Sequence, residues 1–542
     1  MGADSSTATQ SAYIVRGAVS PEAITTSLHA LLPARHRPIA RHRFTLLDTF
    51  DGRVRRAGTR LIRVGVEGAS APCELRCGSH LAVRLQQPVN FAWDLPDGPL
   101  QQALAPVIGV RRLLEQADAE QYGSLLEILD GRGKTVARLR IESGRARLPT
   151  SVSGWHPLPT VITLTGMRGY EDEYRQLVPV IESRPGLESC PHGLDGIVLR
   201  EVGVPEARDV SSPAIDLDPT VRAGAGARQI HLALLGIINA NEPGLRASLD
   251  TEFLHDFRVA IRRTRSLLGQ LKQVFPADAL EHFATEFSWL GRLTGPPRDL
   301  DVLGLSLKLS LKLSLKLSLN LSLEDRQGDV PVGDMESLTA FLNDIREQEH
   351  HRLVEALDSG RYRRLLSEWQ AFLEQPSRSD PTARNANLLL KDVVSKRAWR
   401  LSRRIVDSAE TLDDHAPAER LHEVRIDAKK LRYLIDVTPN FHNAADLECV
   451  LRALKKLQRV LGDFNDAHVQ GERLLECGRT MGAAGAPAGA LLAVGRLSEQ
   501  SRQRRDQLRG RVLEGLARFR ARDTRSACRR AFKPTRAMER TR

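Results

Sequence analysis

The chain has 542 residues, 41% of them hydrophobic and 27% charged, with a formal net charge of +12. That length exceeds one ordinary domain, and that balance of apolar and charged residues excludes a disordered chain. The excess of Lys and Arg calls for a polyanionic partner, although composition alone leaves nucleic acid, an anionic membrane and polyphosphate all open.

Residues 1–12 are small and polar and are expected to be disordered; they lack the positive n-region and apolar core of a secretory signal. Residues 13–205 have the texture of strands and turns. The stretches 60–64, 81–85 and 136–141 alternate apolar and polar side chains, as half-buried strands do. Residues 125–129 and 135–141 flank Asp130-Gly131-Arg132-Gly133, which predicts a hairpin. Glu171-Asp172-Glu173 after Gly169 suits the positive end of a helix. Residues 206–222, with Pro213, Pro219 and several Asp and Ser, read as a linker.

From 223 to 520 the apolar period becomes helical, for example in 230–238, 283–293, 388–405 and 450–461. Within this region 303–323 places Leu at every second position, with Ser, Lys or Asn between most of them. That alternation matches a strand, yet its surroundings are helical; it reads as a low-complexity insertion in a helix–helix connection in preference to a functional membrane-surface segment. Residues 521–542 are basic and polar and are expected to form a tail. Six scattered cysteines without Cys-x-x-Cys spacing argue against zinc and for free thiols in a reducing compartment. With no run of about 18 apolar residues, the expected location is cytoplasmic, without a membrane partner.

One pattern occurs twice. His255-Asp256-Phe257-Arg258-Val259-Ala260-Ile261-Arg262-Arg263-Thr264-Arg265 returns further along the chain as His422-Glu423-Val424-Arg425-Ile426-Asp427-Ala428-Lys429-Lys430-Leu431-Arg432. Counted from each His, a cation stands at +3, +7, +8 and +10. On a helix the +0, +3, +7 and +10 positions share one face about 15 Å long. Like charges so spaced repel by a few tenths of a kcal/mol each, so an anion is expected to offset them. A strip of that length suits an extended polyanion better than a single phosphate, and two strips would line one groove. At the same distance after each His, Gly295-Pro296-Pro297-Arg298-Asp299-Leu300-Asp301-Val302 and Gly462-Asp463-Phe464-Asn465-Asp466-Ala467-His468-Val469 share a Gly-x-x-(Arg/Asn)-Asp-x-x-Val frame. Two patterns at one internal distance mark duplication of a whole supersecondary unit. Asp299, Asp301 and Asp466 fit helix caps or salt-bridge partners that orient the arginines as well as they fit a direct functional role.

These residues resemble the CHAD family, the conserved-histidine α-helical domain, over roughly residues 223–520. The resemblance implies two pseudo-symmetric four-helix bundles around a basic cavity that binds inorganic polyphosphate, in proteins associated with polyphosphate granules. Carried over by position, the binding residues are His255, Arg258, Arg262, Arg263, Arg265 and Arg298 in the first half. In the second they are His422, Arg425, Lys429, Lys430 and Arg432. Asn465 replaces the arginine of the second motif, and Thr294 replaces a leucine. More weakly, Leu47-Asp48-Thr49-Phe50-Asp51 and Gly58-Thr59-Arg60-Leu61-Ile62-Arg63 resemble the CYTH, or triphosphate tunnel, family. Its opening Glu-x-Glu-x-Lys should lie near 13–17, where the chain reads Tyr-Ile-Val-Arg-Gly. Those glutamates hold the divalent metal, so a degenerate tunnel without activity is expected.

The expected fold is therefore a multidomain α+β chain: an antiparallel β tunnel-like domain, then an all-α domain. The expected function is non-catalytic polyphosphate binding, with no catalytic residue, metal or cofactor. Two alternatives stay open: a metal-dependent triphosphatase acting through the N-terminal domain, and nucleic-acid binding. Only 5% aromatic residues leave the latter few stacking platforms.

Overall fold

The computed structural model describes residues 10–16, 20–65, 73–78, 81–149, 154–184, 186–190, 193–204, 215–318, 332–375, 380–413 and 415–534, with backbone only at 193–194, 308–318 and 332–334. The chain divides into two compact units, Met1–Asp209 and Val210–Arg542.

The first unit is one antiparallel sheet. Its strands are β1 (Gln10–Val15), β2 (Ala34–Asp48), β3 (Leu61–Gly65), β4 (Cys73–Cys77), β5 (Leu81–Leu85), β6 (Leu114–Leu129), β7 (Thr135–Arg147), β8 (His156–Gly166) and β9 (Leu187–Ser189). They are ordered β5-β4-β3-β2-β6-β7-β8-β1-β9, which leaves β5 and β9 at the edges. Its helices are α1 (Pro21–His29), α2 (Arg53–Arg56), α3 (Pro99–Ile108), α4 (Glu171–Glu182) and α5 (Gly193–Glu201). The β6–β7 hairpin turns at the expected place, because the Asp130 carboxylate accepts from the Arg132 and Lys134 amides at 2.8 and 2.9 Å. Gly133 takes the positive φ of 74° that a side chain would resist. Strand order begins earlier than expected: residues 10–12 pair with 163–165 of β8 instead of trailing off. Tyr13 and Val15 are buried with Leu126, Leu139 and Ile162, which holds β1 in register.

The second unit is helical: α6 (Ala223–Arg246), α7 (Thr251–Gln270), α8 (Ala277–Leu293), α9 (Gly295–Ser318), α10 (Val332–Asp358), α11 (Gly360–Glu374), α12 (Leu390–Thr411), α13 (Ala418–Asp436), α14 (Ala444–Ala483), α15 (Ala488–Arg520) and α16 (Arg522–Phe532). The offset that separates His255 from His422 also separates the first residues of α6 and α12, of α7 and α13, and of α8 and α14. The core obeys the same offset: Phe257, Ile261, Leu267, Phe287 and Leu290 are buried, as are Val424, Ala428, Leu434, Leu454 and Leu457. The duplicated signature is thus a duplicated packing scheme. Phe for Val and Phe for Leu are offset by different neighbours, since the first half fills its core with Trp369 of α11, fully buried against Phe283 and Phe287.

The halves differ at one joint. Gly295-Pro296-Pro297 ends α8 at Leu293 and starts α9, because proline supplies no amide to continue the α8 ladder. The second half has no proline there, and α14 runs straight through Gly462.

Three expectations about this unit change. The Leu-rich stretch, expected as a low-complexity insertion in a helix–helix connection, continues α9 as helix as far as Ser318; residues 319–323 of it lie outside the described residues. Leu303 and Leu307, four apart, are buried with Leu338, Leu342, Leu474 and Met481, so the helical period uses every second leucine of the alternation. The linker is partly core: Leu217 is buried against this unit, whereas 205–214 lie outside the described residues. Residues 522–532 are no tail but α16, whose Thr524, Ala527, Cys528 and Phe532 are buried at amphipathic spacing.

Candidate functional site

Helices α7 and α13, which carry the two cationic strips, pack against each other. Asp250 caps α7 by accepting from the Glu252 and Phe253 amides, which sets the phase of the strip. The apolar residues of each helix face the core, so the +3 and +7 cations project from the remaining face and meet. Arg258, Arg262, Arg425 and Lys429 lie within mutual electrostatic range.

Little in the protein compensates Arg262, Arg425 and Lys429. Arg262 makes no ion pair with any described residue, and its Nε is buried without a hydrogen-bond partner. Arg425 Nε is buried in the same state, and the nearest carboxylate, Asp466, stands 4.0 Å from its Nη2. Burial, then Arg425 and Arg262, push the Lys429 ammonium down to about 7. Burial likewise lowers the Arg258 and Arg425 guanidinium pKa values, though both stay charged. Desolvated like charges of this kind raise the energy of the folded chain, and an anion lowers it.

The helix joint explains why the two +3 arginines differ. Arg258 Nη1 donates to Gly291 O at 2.8 Å and Thr294 Oγ1 at 3.0 Å, at the C-terminal end of α8. Arg425 meets the uninterrupted α14, which exposes no such carbonyls.

The other expected residues divide. Arg263 bridges α7 to α13 through Asp436 at 3.7 Å and lies over the Tyr433 ring. Arg432 holds the same Asp436 at 2.5 Å. Lys430 stands 4.0 Å from Asp427, which Arg404 also binds at 2.8 Å. Arg298 donates to Thr251 O at 2.9 Å and stands 3.7 Å from Glu252, so it ties α9 to the start of α7. These four are largely occupied as struts. His422 Nδ1 sits 3.0 Å from Asn465 Oδ1, which fills the place of the missing arginine. His255 is half-buried on α7, one turn before Arg258. Arg265 is exposed, and Gly291 leaves the space its guanidinium occupies. Two of the acids pair with arginines outside the motif: Asp299 lies 3.4 Å from Arg473 of α14, and Asp301 lies 2.5 Å from Arg346 of α10.

Sequence reasoning missed Arg292, which is close enough to Arg265 to lower its pKa. Its equivalent in the second half is Arg459, also exposed. The offset that revealed the motif would have found this pair too. Arg473, at the edge of the site through Asp299, has Ser306 as its equivalent and left no such signal.

In the first unit the carboxylates expected of a tunnel fold are not where the resemblance would put them. The positions expected to carry glutamates are the buried apolar residues Tyr13 and Val15. Sheet carboxylates serve arginines instead: Glu120 binds Arg41, Arg43 and Arg145 at 2.9–3.0 Å, Glu142 binds Arg140 at 2.6 Å, and Glu127 binds Arg37 at 3.2 Å. Among the described residues no group of three His, Cys, Asp or Glu could hold a metal ion, and no helix is long and apolar enough to cross a membrane.

Comparison with known proteins bears on the second unit. Two curated proteins of Mycobacterium tuberculosis, from strains CDC 1551 and H37Rv and both described as uncharacterized, are each 28% identical over 232 residues. The match covers 41% of this chain and only 40% of each relative. The CHAD domain of the plant Ricinus communis superposes with a TM-score of 0.45 at 26% identity, covering 56% of this chain and 94% of that one. PptA from Streptomyces chartreusis superposes with a TM-score of 0.41 at 16% identity, covering 54% and 99%. The family model for the CHAD domain matches residues 229–475, which span both copies of the histidine motif and both Gly-x-x-(Arg/Asn)-Asp motifs. Over residues 229–475 the chain therefore carries a CHAD domain.

Proposed function

We propose that the helical unit binds inorganic polyphosphate, without catalysis, along the facing strips of α7 and α13, and that this binding places the protein at polyphosphate granules in the cytoplasm. The observation that carries the reading is the uncompensated set Arg262, Arg425 and Lys429, two of whose Nε–H donors are buried without partners. Arg262 and Arg425 present planar forks suited to phosphate oxygens, and Lys429 adds a point charge between them. The CHAD domain supports the choice of phosphate chain, since that family is linked to polyphosphate. Scarce aromatic residues make base stacking a poor alternative.

The test is a titration of the full chain with long-chain polyphosphate, with Arg262→Gln and Arg425→Gln combined as the variant. Retained affinity in the variant would remove the strips from consideration. In a parallel competition at equal phosphate concentration, displacement of polyphosphate by duplex DNA or RNA would favour nucleic-acid binding. Metal-dependent release of phosphate from tripolyphosphate would make the protein an enzyme.

A further inference from the structure

Much of the chain's net positive charge lies outside the α7–α13 strips. Helices α15 and α16 carry twelve arginines against four acids, a net +8 of the chain's +12. Some of these arginines are occupied: Arg502 by Glu499 at 2.7 Å, Arg505 by Asp506 at 2.8 Å and Arg530 by Asp446 at 2.6 Å. Arg504, Arg511, Arg518, Arg522, Arg525 and Arg529 are exposed and make no ion pair with a described residue. Their spacing is ordered. Arg504, Arg511 and Arg518 recur every seventh residue along one stripe of α15, and Arg522, Arg525 and Arg529 share one face of α16. Helix α16 packs on α12, α14 and α15, whereas the central strips lie where α7 meets α13.

We infer that the arginine surface of α15 and α16 is a second binding surface for the same polyphosphate, so that one molecule can hold two segments of chain; this rests on the function proposed above. Its chemistry selects a phosphate backbone. The apolar residues of α16 and the end of α15 (Phe519, Ala527, Cys528, Phe532) are buried, which leaves no apolar face for a lipid surface and no aromatic ring for a base. A linear phosphate chain bends from one surface of a small domain to another. A DNA duplex, with a persistence length of about 50 nm, does not. Two such surfaces give the protein two grips on one polymer, and hence the ability to cross-link chains.

The experiment uses the full chain in three forms: unaltered, with Arg262→Gln and Lys429→Gln, and with those two plus Arg522→Gln, Arg525→Gln and Arg529→Gln. None of the five side chains donates a hydrogen bond to a described residue, so all forms should keep the helical circular dichroism and melting temperature of the parent. Long-chain polyphosphate binding is followed by fluorescence, and cross-linking by light scattering. The first variant should lose tight binding but keep a weaker, salt-sensitive component. The second should lose at least tenfold of that component, with its log–log salt slope falling by about 2 for three phosphate contacts on a single chain. Either absence of the weaker component from the first variant or its survival in the second overturns the inference. Undiminished tight binding in the first variant overturns the central site instead, so the two failures are told apart.

Discussion

Arg43 and Arg145 in the sheet unit and Arg262 and Arg425 in the helical unit are the same side chain in opposite company. The first pair flanks Glu120, which is 2% exposed and accepts from both. The second pair faces other cations, with only the exposed Asp466 at 4.0 Å from Arg425. Alternation explains the difference. In a sheet, registered neighbours on β2, β6 and β7 place Arg43, Glu120 and Arg145 side by side, so opposite charges pair across strands. On α7 and α13 the heptad-like spacing of the motif stacks one sign along one face. A high arginine content therefore has two meanings here: neutral scaffolding in the first unit and an unsatisfied surface in the second.

The largest effect that would sharpen this contrast is on binding. Arg262→Gln with Arg425→Gln removes two charge-assisted contacts, each about 1.5–3 kcal/mol, and should weaken polyphosphate at least about 100-fold. Arg43→Gln with Arg145→Gln, which removes the same charge, should leave affinity within about threefold and instead lower the melting temperature, because Glu120 is left with Arg41 alone. Equal losses of affinity in the two double variants, measured by the same titration, would erase the distinction.

A second effect is the pH dependence of binding. Lys429 lies near 7 in the unliganded protein, below its ordinary value, facing Arg425 on its own helix, Arg258 and Arg262 on α7, and Asp466 on α14. A bound anion favours the ammonium, so complex formation takes up a proton above pH 7. Affinity should fall by up to about tenfold per pH unit as pH rises through 7, and Lys429→Gln should flatten the profile. Titrations in two buffers of different ionisation enthalpy measure the proton directly; no uptake at pH 8 would show that Lys429 does not contact the ligand.

The smallest expected effects are on stability, in two windows. Lys429 binds a proton less readily folded than unfolded, so stability rises with pH from about 7 to the ordinary lysine range, and the full cost is present below 7. Glu120 has the opposite shift: hydrogen bonding from Arg145 holds its carboxyl below the ordinary value. Its contribution is present above the unfolded carboxylate range, near 4.5, and is lost as pH falls through the folded value. Glu120→Gln should make the sheet unit's melting temperature a few degrees lower at pH 7 and less dependent on pH between 5 and 3, read by near-ultraviolet circular dichroism.

Much of the helical unit was legible because its motif is repeated. Side chains at +0, +3 and +7 must share a face, and the spacing between His255 and His422 also holds for the starts of α7 and α13. The fate of the cations at +8 and +10 was not legible, because it depends on Asp436, which lies one helical turn beyond Arg432 and touches Arg263 only once α7 and α13 are packed. The packing of the Leu-rich stretch was not legible for a related reason. Strict alternation favours a strand only when a sheet edge is there to receive it, and what Leu303 and Leu307 meet is the apolar side of α10, α14 and α15. Residues 522–532 look like a solvated tail because most of their side chains are charged or small, yet four buried positions at helical spacing are enough to seat α16.

Sequence by itself determined the two-unit organisation, the duplicated packing scheme and the presence of one sign of charge on two helix faces, since all three follow from local periodicity and a fixed offset. Tertiary structure decided which cations stay unpaired. Whether an arginine is a strut or a ligand depends on the carbonyls and carboxylates that distant segments bring within reach: the broken end of α8 satisfies Arg258, and the unbroken α14 leaves Arg425 waiting.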